Sequence, residues 1–212
     1  MNTIDYENNN IAHIRGMVIE NPSYSHEILG EGFYDLKISV PRLSEQYDTI
    51  PVTISERLLS DSLVGNILSI NGQFRSYNKL EDGKSKLILT LFAKELVDND
   101  FSVNSNTITL TGYICKEPIY RTTPFGREIC DCLIAVNRAY NKSDYIPCIA
   151  WGRNARFVKN LEVGSKVTIN GRIQSREYQK KYDDDNVETK IAYEVSISSI
   201  SLTIDDTNDT QE

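Results

Sequence analysis

Histidine is nearly absent from this chain. His13 and His26 are the only two, and both lie in the first half. The second half therefore lacks the commonest general base, and no Gly-rich phosphate loop or Gly-x-Ser-x-Gly elbow stands in for one. Cysteine is sparse as well. Cys115, Cys130, Cys132 and Cys148 all fall in the second half and form no Cys-x-x-Cys pair. That excludes a zinc site of recognisable spacing, so reduced thiols packed as small apolar residues are expected, with no metal and no cofactor. The acidic triplet Asp183-Asp184-Asp185 reads as a hairpin turn, because adjacent carboxylates do not by themselves converge on a cation. No apolar run approaches the ~18 residues of a membrane helix, and the polar, acidic first ten residues are not a secretory signal. A cytoplasmic, non-catalytic protein is expected.

What is present is the balance of a globular chain, 212 residues with 40% apolar and 25% charged side chains. That length accommodates two domains of roughly 100 residues. The net charge of −7 is unevenly spread. Residues 10–105 hold 9 basic and 13 acidic side chains, whereas 106–204 hold 14 basic and 11 acidic. Local field, rather than total charge, steers a charged partner.

The two halves repeat each other. At an offset of 96, Gly16, Pro22 and Tyr24 return as Gly112, Pro118 and Tyr120. Asp35, Ile38, Val40 and Arg42 return as Asp131, Ile134, Val136 and Arg138, and Ile50-Pro51 as Ile146-Pro147. After a three-residue insertion the offset becomes 99, and Gly65 with Asn71-Gly72 returns as Gly164 with Asn170-Gly171. A period near 100 means two copies of one domain, not a solenoid of short units. The expected division is a first domain at 10–97, a polar linker at 98–105, a second domain at 106–204 and a short acidic tail at 205–212.

Each copy reads as strands. Residues 107–111 alternate polar and apolar, and further strand-like runs span 127–138, 143–151, 165–180 and 187–203. A short helical stretch at 153–160 separates the third from the fourth. Five strands with a helix between the third and fourth is the order of an OB-fold. The expected fold is all-β, two tandem five-stranded OB-fold barrels, each with that short helix.

One strand carries an unusual face. Val167, Ile169, Gly171 and Ile173 occupy one side of 165–180, and Lys166, Thr168, Asn170, Arg172, Gln174, Arg176, Tyr178 and Lys180 the other. Such a row suits a sugar-phosphate backbone, with cations on phosphates and a ring for stacking; an ordinary solvated strand face is the plainer alternative. On the preceding strand Tyr145 and Trp151 share a side ~20 Å apart, although Trp151 could equally serve the core. Tyr140 sits between Arg138 and Lys142.

Several of these segments together resemble the bacterial single-stranded DNA-binding protein family. They are 106–112, Glu117-Pro118, Ile134-Ala-Val136, Tyr145-Ile-Pro-Cys-Ile-Ala-Trp-Gly152, Gly164-Ser-Lys-Val167 and Asn170-Gly-Arg-Ile-Gln-Ser-Arg-Glu-Tyr178. The resemblance covers nearly all of 106–204. It implies bases stacked on Tyr140, Tyr145, Trp151 and Tyr178. Phosphates are expected on Lys166, Arg172, Arg176, Lys180, Arg138 and Lys142, with Arg121, Arg127, Arg153, Arg156 and Lys181 in a secondary role. The same resemblance implies four barrels per assembly, hence a homodimer, and a setting in replication, recombination or repair. The family's apolar tail tip is missing from the end of this chain, so recruitment of replication or repair proteins by that route is not expected.

In the first copy the four stacking positions fall on Ser44, Thr49, Ser55 and Lys79, none aromatic. That copy is expected mainly to contact the second barrel, with minor DNA contact through Arg42, Arg75, Tyr77 and Lys79. Two rival functions stay open at this point: an OB-fold adaptor for replication restart or recombination that acts mainly through protein contacts, and an RNA binder, which stacking alone does not exclude.

Overall fold

The computed structural model describes residues 8–60, 63–81, 83–183 and 186–203, and of residues 181–183 and 186 the backbone only. The first half contains β1 (Asn10–Val18), β2 (Ser23–Ile28), β3 (Glu31–Pro41), β4 (Tyr47–Ser55), β5 (Ile67–Glu81) and β6 (Lys84–Val97). The second contains β7 (Asn106–Ile114), β8 (Ile119–Thr122), β9 (Glu128–Arg138), β10 (Lys142–Trp151), the helix α1 (Arg153–Val158), β11 (Lys166–Asp183) and β12 (Asn186–Leu202). All these strands join one sheet in the order β2-β3-β4-β6-β5-β1-β7-β11-β12-β10-β9-β8. Pairing of β1 with β3, and of β7 with β9, closes each half into a barrel. With β4–β6 and β10–β12 as the parallel pairs, each barrel has the Greek-key order of an OB-fold. The chain is two tandem OB-fold barrels.

Two details depart from expectation. Each barrel has a sixth, short strand, β2 or β8, paired to the edge of its second long strand. Among the described residues the helix forms in the second barrel only; the first has a single 3-10 turn at Glu56–Leu58, capped by the Ser55 hydroxyl, which accepts from the Arg57 amide at 3.2 Å. The three residues missing from the first copy are about one turn, enough to remove the helix.

The strands explain the repeated glycines. A Cβ on Gly16 would stand 2.3 Å from the Ser39 carbonyl oxygen, and one on Gly112 2.5 Å from that of Ala135, so barrel closure requires bare backbone at both. Opposite each Asn-Gly pair the partner strand carries one extra residue. Asn71 and Gly72 face Glu95 and Ala93, and Asn170 and Gly171 face Ser199 and Ile197. These bulges bend the long hairpins, and at each glycine a Cβ would meet a carbonyl at 2.2–2.3 Å.

Inward side chains make a continuous apolar core, with Ile38, Ile50, Val52, Phe74 and Leu91 in the first barrel and Ile134, Val136, Ile146, Ile173 and Val195 in the second. Cys130, Cys132 and Cys148 are buried free thiols. Burial pushes Cys130 up to about 11, which keeps it protonated and unreactive at neutral pH. The barrels meet where β1 runs antiparallel to β7, from Asn10 opposite Leu110 to Ile14 opposite Asn106. The segment between β6 and β7 is held to β1 by Arg15, whose guanidinium lies over the Phe101 ring at 4.6 Å and donates to the Asp100 and Val103 carbonyls.

Candidate nucleic-acid interface

On the second barrel the outer side of β10 presents Tyr145 opposite Ala135 and Trp151 opposite Ile129. β10 runs parallel to β12 at Cys148 and Val195, and Arg176 of β11 stands opposite Ala192 further along β12. Tyr178 follows on the same side of β11, opposite Lys190. Tyr140 occupies the tip of the β9–β10 hairpin in a left-handed conformation, φ 61°, a strained position for an aromatic residue. It is 94% exposed, and Tyr145, Trp151 and Tyr178 are 45%, 39% and 38% exposed. All four rings are thus half-open or fully open to solvent, and Trp151 is not a core residue.

The cations divide into two groups. Arg176 is exposed and lies 3.6 Å from Glu194, and Lys142, Lys180, Arg127 and Arg153 are exposed. Arg121 pairs with Asp131 and Arg156 with Glu128, both at 2.8 Å and at the surface, where such pairs are weak. The Lys181 side chain lies outside the described residues. Lys166 is at the far end of β11, opposite Tyr113 and roughly 45 Å of strand from Lys180. The row from Lys166 to Lys180 is therefore interrupted, because Arg172 and Ser175 between them bond to Asp48 of the first barrel.

Arg172, Arg138 and Arg42 form the second group. The sequence assigns all three to the nucleic-acid face, and the structure instead places them in the contact between barrels. Asp48, fully buried, receives Arg42 Nε and Arg172 Nη1, each at 2.8 Å, together with the Ser175 amide at 2.7 Å. Its counterpart 96 residues on, Asp144, receives the Ser76 amide at 2.8 Å and Arg138 at 3.3 Å. The backbone exchange is reciprocal. Ser175 Oγ accepts from the Thr49 amide at 3.0 Å, and Ser76 Oγ from the Tyr145 amide at 2.7 Å. Each barrel thus buries one carboxylate against a backbone amide of the other. The arginines offset the several kcal/mol that an unpaired buried carboxylate would cost. Bonding to Asp48 holds Arg42 above its ordinary range, and burial raises the Asp144 carboxyl.

The first barrel carries rings that sequence reasoning missed. His26 stacks on Phe33 at 5.2 Å, Phe33 lies 5.6 Å from Phe92, and Arg75 sits over the Phe92 ring at 4.0 Å. Tyr24 meets Tyr34 edge-on at 5.7 Å. Tyr77 is half-exposed, and Lys79 pairs with Glu81 at 3.4 Å. A groove of about 590 Å³ runs between the β2 strand and β5, lined by Tyr24, His26, Phe92, Arg75 and Tyr77, with Arg138 of the second barrel on its rim. Burial and the nearby Arg138 bring Arg75 down to about 10, still protonated at neutral pH. The one legible signal is Phe92, which shares strand parity with Lys84, Lys86 and Thr90 on β6.

Residues 105–202 match the family model described as single-strand binding protein family. Among curated relatives, the chain is 37% identical over 83 residues to single-stranded DNA-binding protein 1 of Staphylococcus aureus, covering 36% of this chain and 50% of that one. It is 35% identical over 83 residues to single-stranded DNA-binding protein A of Bacillus subtilis, covering 36% and 48%. The chain thus spans about half the length of the curated relatives it matches. The solved structure of wild-type single-stranded DNA binding protein from Thermus aquaticus superposes with a TM-score of 0.73 at 15% identity, covering 95% of this chain and 96% of that one, so the likeness in fold spans both barrels. The second barrel of this chain is therefore similar over its whole length to the single-strand binding protein family, and it is preceded in the same chain by a first barrel of the same fold.

Proposed function

We propose that the chain binds single-stranded DNA without catalysis, along the outer face of the second barrel, and protects it during replication, recombination or repair. The observation that supports this reading most is the exposure of four rings, Tyr145 and Trp151 on β10, Tyr178 on β11 with Arg176 and Lys180, and Tyr140 at the β9–β10 hairpin tip. A base stacked on each contributes about 1–3 kcal/mol whatever its identity, and the cations neutralise phosphates. Arg176, Lys180 and Lys142 carry the phosphate role, with Arg127 and Arg153 at the periphery.

A homodimer with four barrels is the assembly that the family resemblance implies. Met17 and Ile67, cross-strand partners exposed on the outer side of the β1–β5 pair, form an apolar pair suited to such a contact. Sedimentation should then give twice the mass of one chain.

The functional test is a titration of the whole chain with oligo-dT, oligo-rU and duplex at two salt concentrations. Tight binding to oligo-dT, weak binding to duplex and a steep loss with salt support the proposal. Weak, shallow binding to every strand would favour an adaptor that works through protein contacts, for which the bonding of Arg42 and Arg172 to Asp48 in the barrel contact gives some support.

A further inference from the structure

We propose that the groove of the first barrel is a base-selective pocket, which takes one amino-bearing base of the bound strand, cytosine in preference to thymine. This rests on the single-strand binding proposed above and adds to it a site where sequence is read.

The floor of the groove decides what it accepts. Asp35, Thr53 and Thr90 lie side by side on β3, β4 and β6 and all line it. Thr53 Oγ1 donates to Asp35 Oδ1 at 2.7 Å, which uses its only proton. Thr90 spends its own proton on Thr53 at 2.9 Å or on the Pro51 carbonyl at 3.4 Å. Both hydroxyl protons are spent inside the floor, so what Asp35 and Thr90 offer to the groove is acceptor capacity alone. Cytosine presents its N4 amino group, a pair of donors that a carboxylate reads. Thymine presents the O4 carbonyl at the same place, against a carboxylate. Phe92 and His26 supply ring faces for the base, and the volume is that of a small-molecule site rather than a surface dimple.

The rim suits the phosphate next to that base. Arg75 and Arg138 come from different barrels, line the same groove and repel one another. Their neighbouring carboxylate, Asp144, is already engaged by the Ser76 amide and Arg138. A phosphodiester between the two guanidinia relieves that repulsion. It also lies beside Ser76, which anchors the Tyr145 amide, so a strand leaving the pocket passes directly to the first stacking ring of the second barrel.

Among the described residues, the second barrel does not rebuild this floor at the matching register. Asp131 is neutralised by Arg121 at 2.8 Å. Ile149 pairs with it where Thr53 pairs with Asp35. Glu194 stands opposite Gln174 as Thr90 stands opposite Arg75, and Ser196 opposite Arg172 as Phe92 stands opposite Gln73.

The test compares equal lengths of oligo-dC and oligo-dT on the full chain and on Asp35→Asn, which keeps the acceptor for Thr53 and so leaves the floor standing. Asp35→Asn should weaken oligo-dC about tenfold, the scale of one charged hydrogen bond, and leave oligo-dT within about twofold. Equal weakening of both, or no change in either, overturns the pocket while oligo-dT binding by the unaltered chain upholds the broader function. Failure of the unaltered chain to bind either oligonucleotide overturns both.

Discussion

The two barrels share a fold and a buried contact, yet their outer faces are built from different rings. The second places aromatics on β10 and β11, at Tyr145, Trp151 and Tyr178, and on the hairpin tip at Tyr140. At those four positions the first has Thr49, Ser55, Lys79 and Ser44, and its rings cluster instead on β2, β3 and β6. The contact between barrels differs too. Asp48 carries two arginines, whereas Asp144 carries one and leaves Arg75 on Phe92. Duplication conserved what closes each barrel and joins the pair, and left the exposed faces free to diverge.

The largest effect should come from the contact. Asp48→Ala leaves Arg42 and Arg172 half-buried without their carboxylate and should cost about 3–5 kcal/mol in urea unfolding. Asp144→Ala, with a single ion pair to lose, should cost less; equal losses would show that the two latches are equivalent. Next come the rings. Tyr178→Ala or Tyr145→Ala should each lower oligo-dT affinity by about 1–3 kcal/mol, against less than about 0.5 kcal/mol for Tyr77→Ala. Equal effects would place oligo-dT on both barrels alike.

Among cations, Arg176→Gln should reduce the slope of log affinity against log salt by about one, the mark of a lost phosphate contact. Arg42→Gln should leave that slope alone and lower stability instead. A reversed result would mean that the two groups of arginines have been exchanged. The smallest effect concerns pH. Burial raises the folded-state pKa of Asp144 above its unfolded value, so the stability it adds is complete at low pH and is lost as pH rises through the folded value. Asp144→Asn, which mimics the protonated form, should therefore be more destabilising near pH 4 than near pH 7, as read from thermal melts. The opposite trend would show that its ionised form is the favoured one.

The internal repeat makes both barrels legible in the amino-acid sequence. Alternation places Ile134, Val136, Ile146, Val167 and Ile169 inward, and all are buried. The same repeat contains the barrel contact. Arg42 returns as Arg138, Asp48 as Asp144 and Asn10 as Asn106, but such identity does not distinguish a conserved surface from a conserved seam. Arg42 and Arg172 therefore look like phosphate ligands in the sequence and bind the buried Asp48 in the fold, while Arg138 pairs with Asp144 and also lines the groove of the first barrel. Strand parity also misleads over distance: it holds Lys166 and Lys180 on one side of a straight ribbon, and Arg172 between them is bonded to Asp48 of the first barrel. The rings of the first barrel are hidden for a further reason. Tyr24, His26, Phe33 and Phe92 come from three separate strands, and only closure of the barrel brings them together.

Trp151, the single tryptophan of the chain, reports on the second barrel without any substitution. Half-open on the outer side of β10, its emission should be quenched as oligo-dT saturates the protein, with quenching reversed by salt. Full occupancy by oligo-dT with tryptophan emission unchanged would mean that the strand runs elsewhere.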